Sequence, residues 1–447
     1  MPDLDRPSAT PALRATLRDL PPAPLWVGLS GGLDSSVLLH LLAHHPPARA
    51  ARLRALHVHH GLHPQADRWT AHCEHLCAAL DVELTIVPVS VARDAGGGLE
   101  AAARDARYLA FAATLADGDT LALGHHRGDQ AETFLLRALR GSGTGGLGAM
   151  RRWRTLGNAQ LWRPLLDTAR TDLLAHAQAH GLAWIEDPSN RDVDFDRNFL
   201  RERVLPLLRE RWPRVDAAFA RSAGLLADAD ALLADGDVIA LAQAATADRW
   251  CVSASELRRL PAARRARVLR RWIAGLQLPA LPGNGVERIE QDLLTARADA
   301  QACFVWQGVA VTRWRDLLHA GRQHAPLPAD WRIAWDGRRP AALPGGGVLR
   351  LLGADALPAP GVLHARRGSQ RITLPGREHS HSLKQVLLDL GVPPWQRAQL
   401  PLLSSPVGEV LSAGDLAYSA GFDAWLRQHH AWLVWTPPPD RADAPRD

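Results

Sequence analysis

Lysine is almost missing from this chain. Lys384 is the single one in 447 residues, so arginine carries nearly all the positive charge. That scarcity excludes a Walker-type phosphate loop, because no Gly-x-x-x-x-Gly-Lys-Ser/Thr can be written without a second lysine. Cysteine is scarce as well. Cys73, Cys77, Cys251 and Cys303 are too few for a disulfide framework in so long a chain. No Cys-x-x-Cys occurs, which argues against persulfide or iron–sulfur chemistry. No apolar run reaches the roughly 18 residues of a membrane span. The N-terminus mixes Asp3, Asp5, Arg6, Arg14 and Arg18 with short apolar pieces, unlike the basic-then-apolar layout of a signal peptide. A cytoplasmic protein without membrane association is expected.

What is present is an ordinary globular composition, 47% apolar, with a formal charge of +5. A mild basic excess permits nucleic-acid binding without proving it. Its distribution is more informative: residues 249–273 hold eight arginines, Arg264, Arg265, Arg267, Arg270 and Arg271 among them, against the single acid Glu256. A solvated helix face and a phosphate-contact surface fit that run equally.

The first half alternates short β-like runs with helical patterns, as parallel βαβ units do. Strands are expected at 25–29, 53–59, 83–89, 120–124 and 182–185. Helices are expected at 35–44, 67–80, 99–115, 130–140 and 167–180. Residues 215–319 read as mostly helical, with a break at Gly236. The expected organisation is α/β overall. A parallel-sheet N-terminal domain (1–213) precedes a helical middle domain (214–324), and a linker or small β element (325–360) follows. A small α+β C-terminal domain (361–436) and a disordered polar tail (437–447) complete it.

The strongest chemical signal is Ser30-Gly31-Gly32-Leu33-Asp34-Ser35, directly after the first strand. Two glycines let the backbone turn tightly and present N–H groups to an anion. The helix starting near Ser35 aims its positive end at the same point. Ser30 and Ser35 offer hydroxyl donors to phosphate oxygens. A carboxylate beside a phosphate repels it unless a cation intervenes, so Asp34 points to Mg²⁺. The plainer reading is a Ser/Gly turn with Asp34 as a helix N-cap. Gly141 to Gly146 fits the dinucleotide spacing literally but follows a helix instead of a strand, so it reads as a loop or connector.

The Ser30–Ser35 loop resembles that of the PP-loop pyrophosphatases, the adenine nucleotide alpha hydrolase-like fold. Further segments narrow the resemblance: His57 to Leu62, Gly98 to Tyr108, Gly124 to Thr133, Arg140 to Leu147, Asp187 to Asn190 and Asp196 to Arg201. In this order they resemble the tRNA(Ile)-lysidine synthase family over residues 22–213. The likeness resumes at 366–422, where Ser382-Leu383-Lys384 and Val392 to Arg397 match the family's C-terminal domain. Arg127-Gly128-Asp129 departs from the pattern, because Gly128 stands where the family usually has the first of two adjacent acids.

The resemblance implies two half-reactions. ATP adenylates the C2 oxygen of the wobble cytidine in the CAU-anticodon isoleucine tRNA and releases pyrophosphate. The ε-amine of free L-lysine then attacks C2 and expels AMP, which changes the codon read from AUG to AUA. It further implies that Ser30, Gly31, Gly32, Leu33, Asp34 and Ser35 hold ATP, with Mg²⁺ on Asp34. Asn190 and Arg197 are candidates to stabilise the charge at the α-phosphate, the plainer alternative for Arg197 being an ion pair with Asp194 or Asp196. Asp129 and Glu132 are candidates to hold or deprotonate the lysine amine. His125 and His126 end the fourth strand, where α/β sites open, and a structural role suits them as well. Trp395 beside Arg397 reads as a packing residue. A monomer and a homodimer both remain open. Two rival functions are tRNA thiolation, which lacks the cysteines it needs, and nucleotide or RNA binding without turnover.

Overall fold

In the computed structural model, which describes residues 11–21, 23–61, 63–91, 99–297 and 302–438, the apolar run before Ser30 is strand β1, Leu25–Gly28. Two compact units divide the chain, 1–234 and 235–447. In the first, β1 lies inside a six-stranded sheet of order β3-β2-β1-β4-β6-β5. Its other strands are β2 (Arg54–His59), β3 (Glu83–Pro88), β4 (Thr120–Ala122), β5 (Trp153–Leu156) and β6 (Ala159–Trp162). All neighbours pair in parallel except the edge pair β5–β6.

Alternation along β1 sends Leu25 and Val27 to one face and Trp26 to the other. The first face packs on helices α1 (Leu33–Ala43), α2 (Ala66–Ala79) and α5 (Arg170–Ala179), in a core with Val37, Leu38, Cys73, Cys77, Trp162 and Leu173. The second packs on α3 (Leu99–Thr114) through Leu56, Ala110, Phe111, Leu121 and Leu161. Helix α4 (Arg127–Leu139) follows β4. Strand order reverses between β1 and β4, so the loops leaving those two strands open into one crevice, the usual ligand position in such a sheet.

Several local expectations are corrected. Helix α1 starts at Leu33 with Gly32 as its N-cap, so Asp34 sits in the first turn and is not the cap. Residues 182–185 form no strand; the Ile185 N–H is spent on the Gly31 carbonyl at 2.9 Å. The expected sheet strand is instead the β5–β6 hairpin, turned by Gly157-Asn158 with Gly157 at φ +59°. The helix Val215–Ala244 is continuous through Gly236, where a Cβ would lie 2.8 Å from Arg264 Nη1. Glycine there serves close approach and not a break. Leu62, Gly98 and residues 439–447 lie outside the described residues.

The second unit adds a four-stranded antiparallel sheet, Cys251–Ser253, Leu317–Arg322, Val309–Trp314 and Cys303–Trp306 in that order, to the helices of the middle region. Helix α6 (Ala262–Gly275) packs on it through Val268, Leu269, Trp272 and Ile273. Residues 327–435 share one further core, and the strands Arg332–Trp335 and Val348–Leu352 pair with C-terminal strands. Trp395 is half-buried and stacks on His319 at 4.3 Å instead of entering that core.

The arginine run on α6 is largely committed inside the fold. Arg264 and Arg267 both bind Asp237, which is 2% exposed, and Arg265 binds Glu290. Among the named five, Arg270 and Arg271 are the exposed ones.

Candidate functional site

Gly31 takes φ +81°, which an L side chain rarely adopts, and turns the chain from β1 into α1. No side chain caps α1, so its first N–H groups remain directed into the crevice. The two serines are partly engaged within the loop. Ser30 N donates to Ser35 Oγ at 3.2 Å, Ser35 Oγ donates to the Gly32 carbonyl at 3.1 Å, and the two hydroxyls lie 3.1 Å apart. They brace the loop first, and only their remaining lone pairs and protons are left for a ligand. Gly124, at the end of β4, lets the two loops touch, since a Cβ there would lie 2.8 Å from the Asp34 carbonyl oxygen.

Asp34 is the uncompensated group. Its Oδ1 is buried and has no hydrogen-bond partner, and burial, then Asp129, push its pKa up against the pull of His126. A carboxylate oxygen left bare beside a phosphate loop suits a cation. Among the described residues, no three His, Cys, Asp or Glu side chains form a metal cage. Asp34 would therefore be the one carboxylate offered to a cation at this loop, with further ligands needed from outside the protein.

His126 caps α4. Its Nδ1 accepts the Gly128 N–H at 2.9 Å, and Asp129 Oδ2 accepts the His126 N–H at 2.9 Å. Because Nδ1 accepts, the ring proton is assigned to Nε2, which lies 3.8 Å from Asp34 Oδ2 and 3.7 Å from Asp129 Oδ2. A Cβ at Gly128 would lie 2.7 Å from the imidazole Cε1, so a side chain at 128 and the ring in this position exclude each other.

Asp129 and Glu132 lie one turn apart on α4 and share two arginines. Arg197 Nε donates to Glu132 Oε2 at 2.7 Å and Arg197 Nη2 to Asp129 Oδ1 at 3.1 Å. Arg201 Nε donates to Glu132 Oε1 at 2.6 Å, and Arg201 Nη2 to Glu132 Oε2 at 2.8 Å. Burial opposes ionisation of Asp129, but His126 and Arg197 outweigh it and hold the carboxyl well below the usual range. Arg197 is thus partnered by the α4 acids and not by Asp194 or Asp196. Arg201 shares its position, although only the family pattern marked it in the sequence. Asn190 lies in the turn Pro188–Arg191, and its side chain is outside the described residues.

The remaining histidines sort by environment. Burial drives the His125 pKa down to about 3, and its Nδ1 accepts from Arg163 Nε at 3.3 Å. His57 binds the Leu29 carbonyl and Thr70, a structural role, and His59 binds Asp67. Arg163 was not expected. An arginine within the apolar run Leu161 to Leu166 is the signal that marks it. The Gly141–Gly146 stretch is a connector held down by Arg137 on the Gly146 carbonyl and by Thr144 near Asp230. Cys73 and Cys77 are buried thiols with pKa values raised to about 12 and about 11, unsuited to sulfur transfer.

A glycine loop and bare helix end at the switch point of a parallel sheet, beside a carboxylate whose buried Oδ1 has no hydrogen-bond partner, define a nucleotide-using PP-loop domain. Residues 8–208 match the PP-loop domain family, 253–319 the TilS substrate binding domain and 362–435 the TilS substrate C-terminal domain. A tRNA(Ile)-lysidine synthase of Xanthomonas axonopodis pv. citri is 54% identical, covering 96% of each chain. One of Pseudomonas aeruginosa is 42% identical over 92% of this chain and 93% of its own. The chain belongs to the tRNA(Ile)-lysidine synthase family. Among solved structures, the U34-tRNA thiolase NcsA of Methanococcus maripaludis superposes loosely, with a TM-score of 0.39 and 20% identity over 48% of this chain and 76% of that one.

Proposed function

We propose that this protein ligates lysine to C2 of the wobble cytidine in the CAU-anticodon isoleucine tRNA, through a tRNA adenylated by ATP. Support comes from three family domains matching in order along a chain that is 54% identical to a lysidine synthase over nearly its whole length. Residues 1–213 would carry the chemistry, with 214–324 and 361–436 holding tRNA. A cytoplasmic location fits this substrate, and no helix among the described residues is long and apolar enough to cross a membrane.

Each half-reaction has a matching part of the crevice. The N–H groups of the Gly31-Gly32 turn and of the first turn of α1 face the ATP phosphates and bind the charge that grows as the α-phosphate transfers. Asp34 would hold Mg²⁺ through its bare Oδ1, and that ion supplies neutralisation of phosphate charge when bound. The cytidine O2 attacks the α-phosphorus, and the bond to the β-phosphate oxygen breaks. For the second step the lysine ammonium must dock and shed a proton. Asp129 and Glu132 are the acids placed to attract it. Arg197 and Arg201 now satisfy them and must yield one or more of those bonds to the ammonium. The amine then adds to C2 and the C2–O bond to AMP breaks.

The deciding experiment supplies labelled lysine, Mg-ATP and a CAU-anticodon isoleucine tRNA transcript, and follows pyrophosphate alongside label. Lysine-dependent label confined to the wobble cytidine is expected. Pyrophosphate release without lysine incorporation overturns the proposal in favour of another acceptor, and absence of both signals in a folded, ATP-binding protein reduces the chain to a binding module.

A further inference from the structure

Beside the acidic half of the crevice lies a group of arginines that form no ion pair with an acid among the described residues. Arg163 is only 3% exposed, yet its partners are the Arg151 carbonyl, which accepts from Nη1 at 2.8 Å, and the neutral His125, which Nε meets at 3.3 Å. None of these partners carries a negative charge. Tyr108 is a hub. The guanidinium of Arg104, one turn earlier on α3, lies 5.7 Å from its ring centre, and that of Arg154 on β5 lies 5.9 Å away. Arg137 on α4 belongs to the same field, spending its Nη1 on the Gly146 and Ala149 carbonyls. Arg104, Arg137, Arg154 and Arg163 form no ion pair among the described residues. Asp105, the acid next to Arg104, forms none with them either.

Unpaired cations gathered this closely destabilise one another unless a counter-anion joins them. Burial, and after it Arg154 and Arg104, push the Arg163 pKa down against the help of Tyr108. Arg137 is lowered by burial and then by Arg104, Arg151, Arg154 and Arg163. An anion bound among them would offset that cost. Arg104 and Arg154 are exposed next to the half-buried Tyr108 ring, so both guanidinium groups are open to a ligand from solvent.

We infer that Arg104, Arg154 and Arg163, arranged around Tyr108, are a second anion site that takes the phosphodiester groups flanking the reacting nucleotide of the RNA substrate. The inference rests on the proposed function for the identity of that RNA. The ATP phosphates have their own site in the Gly31-Gly32 turn, whereas the RNA brings several further phosphates to the same crevice. The crevice is thus divided by charge. Asp34, Asp129 and Glu132 face the cations, and the arginine group faces the polyanion. His125 stands between them as an uncharged spacer, contacting Arg163 on one side and followed in sequence by the α4 cap on the other.

The test uses the full-length protein and the Arg104→Gln/Arg154→Gln double variant. Both side chains are exposed, and a thermal melt matching wild type checks the fold. Affinity for the CAU-anticodon transcript is measured across a salt series, and KM for ATP is measured in parallel. The expected result is about tenfold weaker RNA binding. The slope of log Kd against log salt should flatten by about one per lost phosphate contact, with KM for ATP unchanged. Arg104→Lys/Arg154→Lys keeps the charge and should keep most of the slope. Unchanged RNA affinity and slope overturn the inference. A raised KM for ATP with unchanged RNA binding overturns it too, by giving the arginines to the nucleotide phosphates. A wild-type protein that binds the transcript but incorporates no lysine ends the lysidine proposal alone, and the slopes still judge the anion site.

Discussion

Replacing Gly124 by alanine should disable the phosphate loop without touching any group that does chemistry. The added Cβ would lie 2.8 Å from the Asp34 carbonyl oxygen, 2.9 Å from its carbonyl carbon and 3.0 Å from the Ser35 nitrogen. Ordinary contact begins near 3.4 Å, and all three neighbours are backbone, so no side chain can rotate away. The loop must move by about half an ångström, or β4 must. Overpacking of this kind costs about 1–3 kcal/mol of stability. Displacement of positioning groups on that scale costs on the order of 10–100-fold in rate, because charge stabilisation falls off steeply with misplacement. The assay is ATP-dependent pyrophosphate release with saturating tRNA, paired with a thermal melt. Gly32→Ala is the structural control. The nearest atom to its Cβ is 3.6 Å away, so the melt should hold, and any loss of activity there comes from crowding the phosphate. A Gly124→Ala protein with wild-type pyrophosphate release and an unchanged melt would refute the argument that these two loops are in compulsory contact.

Three further outcomes follow from the same geometry. Asp34→Asn should abolish pyrophosphate release yet leave the melting temperature equal or higher, since it removes a carboxylate whose buried Oδ1 lacks a partner; a large loss of stability would contradict that account. Glu132→Gln keeps the shape of a side chain that is 2% exposed but removes the charge shared by Arg197 and Arg201, and should cost about 3 kcal/mol in urea unfolding. A change below about 0.5 kcal/mol would show the network to be energetically idle. His40 and His176 sit 3.1 Å apart between α1 and α5, with pKa values lowered by burial to about 3 and about 4. Below pH 6.5 the unfolded chain takes up protons that the folded one refuses, so stability should fall between about pH 6.5 and pH 4. His40→Gln should make that slope shallower, and equal slopes in both proteins would exclude these rings as its source.

Local physics determined much of this molecule from the sequence alone. An apolar run, two glycines and an apolar helix specify a phosphate loop at the end of a buried strand, because backbone sterics and helix polarity act over a few residues. Alternating βα patterns specify a parallel sheet for the same local reason. Asp34 was legible as an unusual charge in the loop itself, whereas Asp129, Glu132 and Arg197 were marked by the family resemblance. What pairs with what was decided by tertiary structure. Arg197 and Arg201 reach Glu132 across more than sixty residues of sequence, and Arg264 and Arg267 are turned inward by Asp237, some thirty residues earlier. Charge counting along the chain cannot tell a solvated arginine from one already neutralised. The glycine at 124 carries no local signal of strain, since the backbone atoms that would crowd a Cβ belong to the distant segment at Asp34 and Ser35. The arginines around Tyr108, unpaired among the described residues, arise from α3, α4, β5 and the residue after β6, and only the fold brings them within reach of one another, because Coulomb energy depends on separation in space and the sequence records separation along the chain.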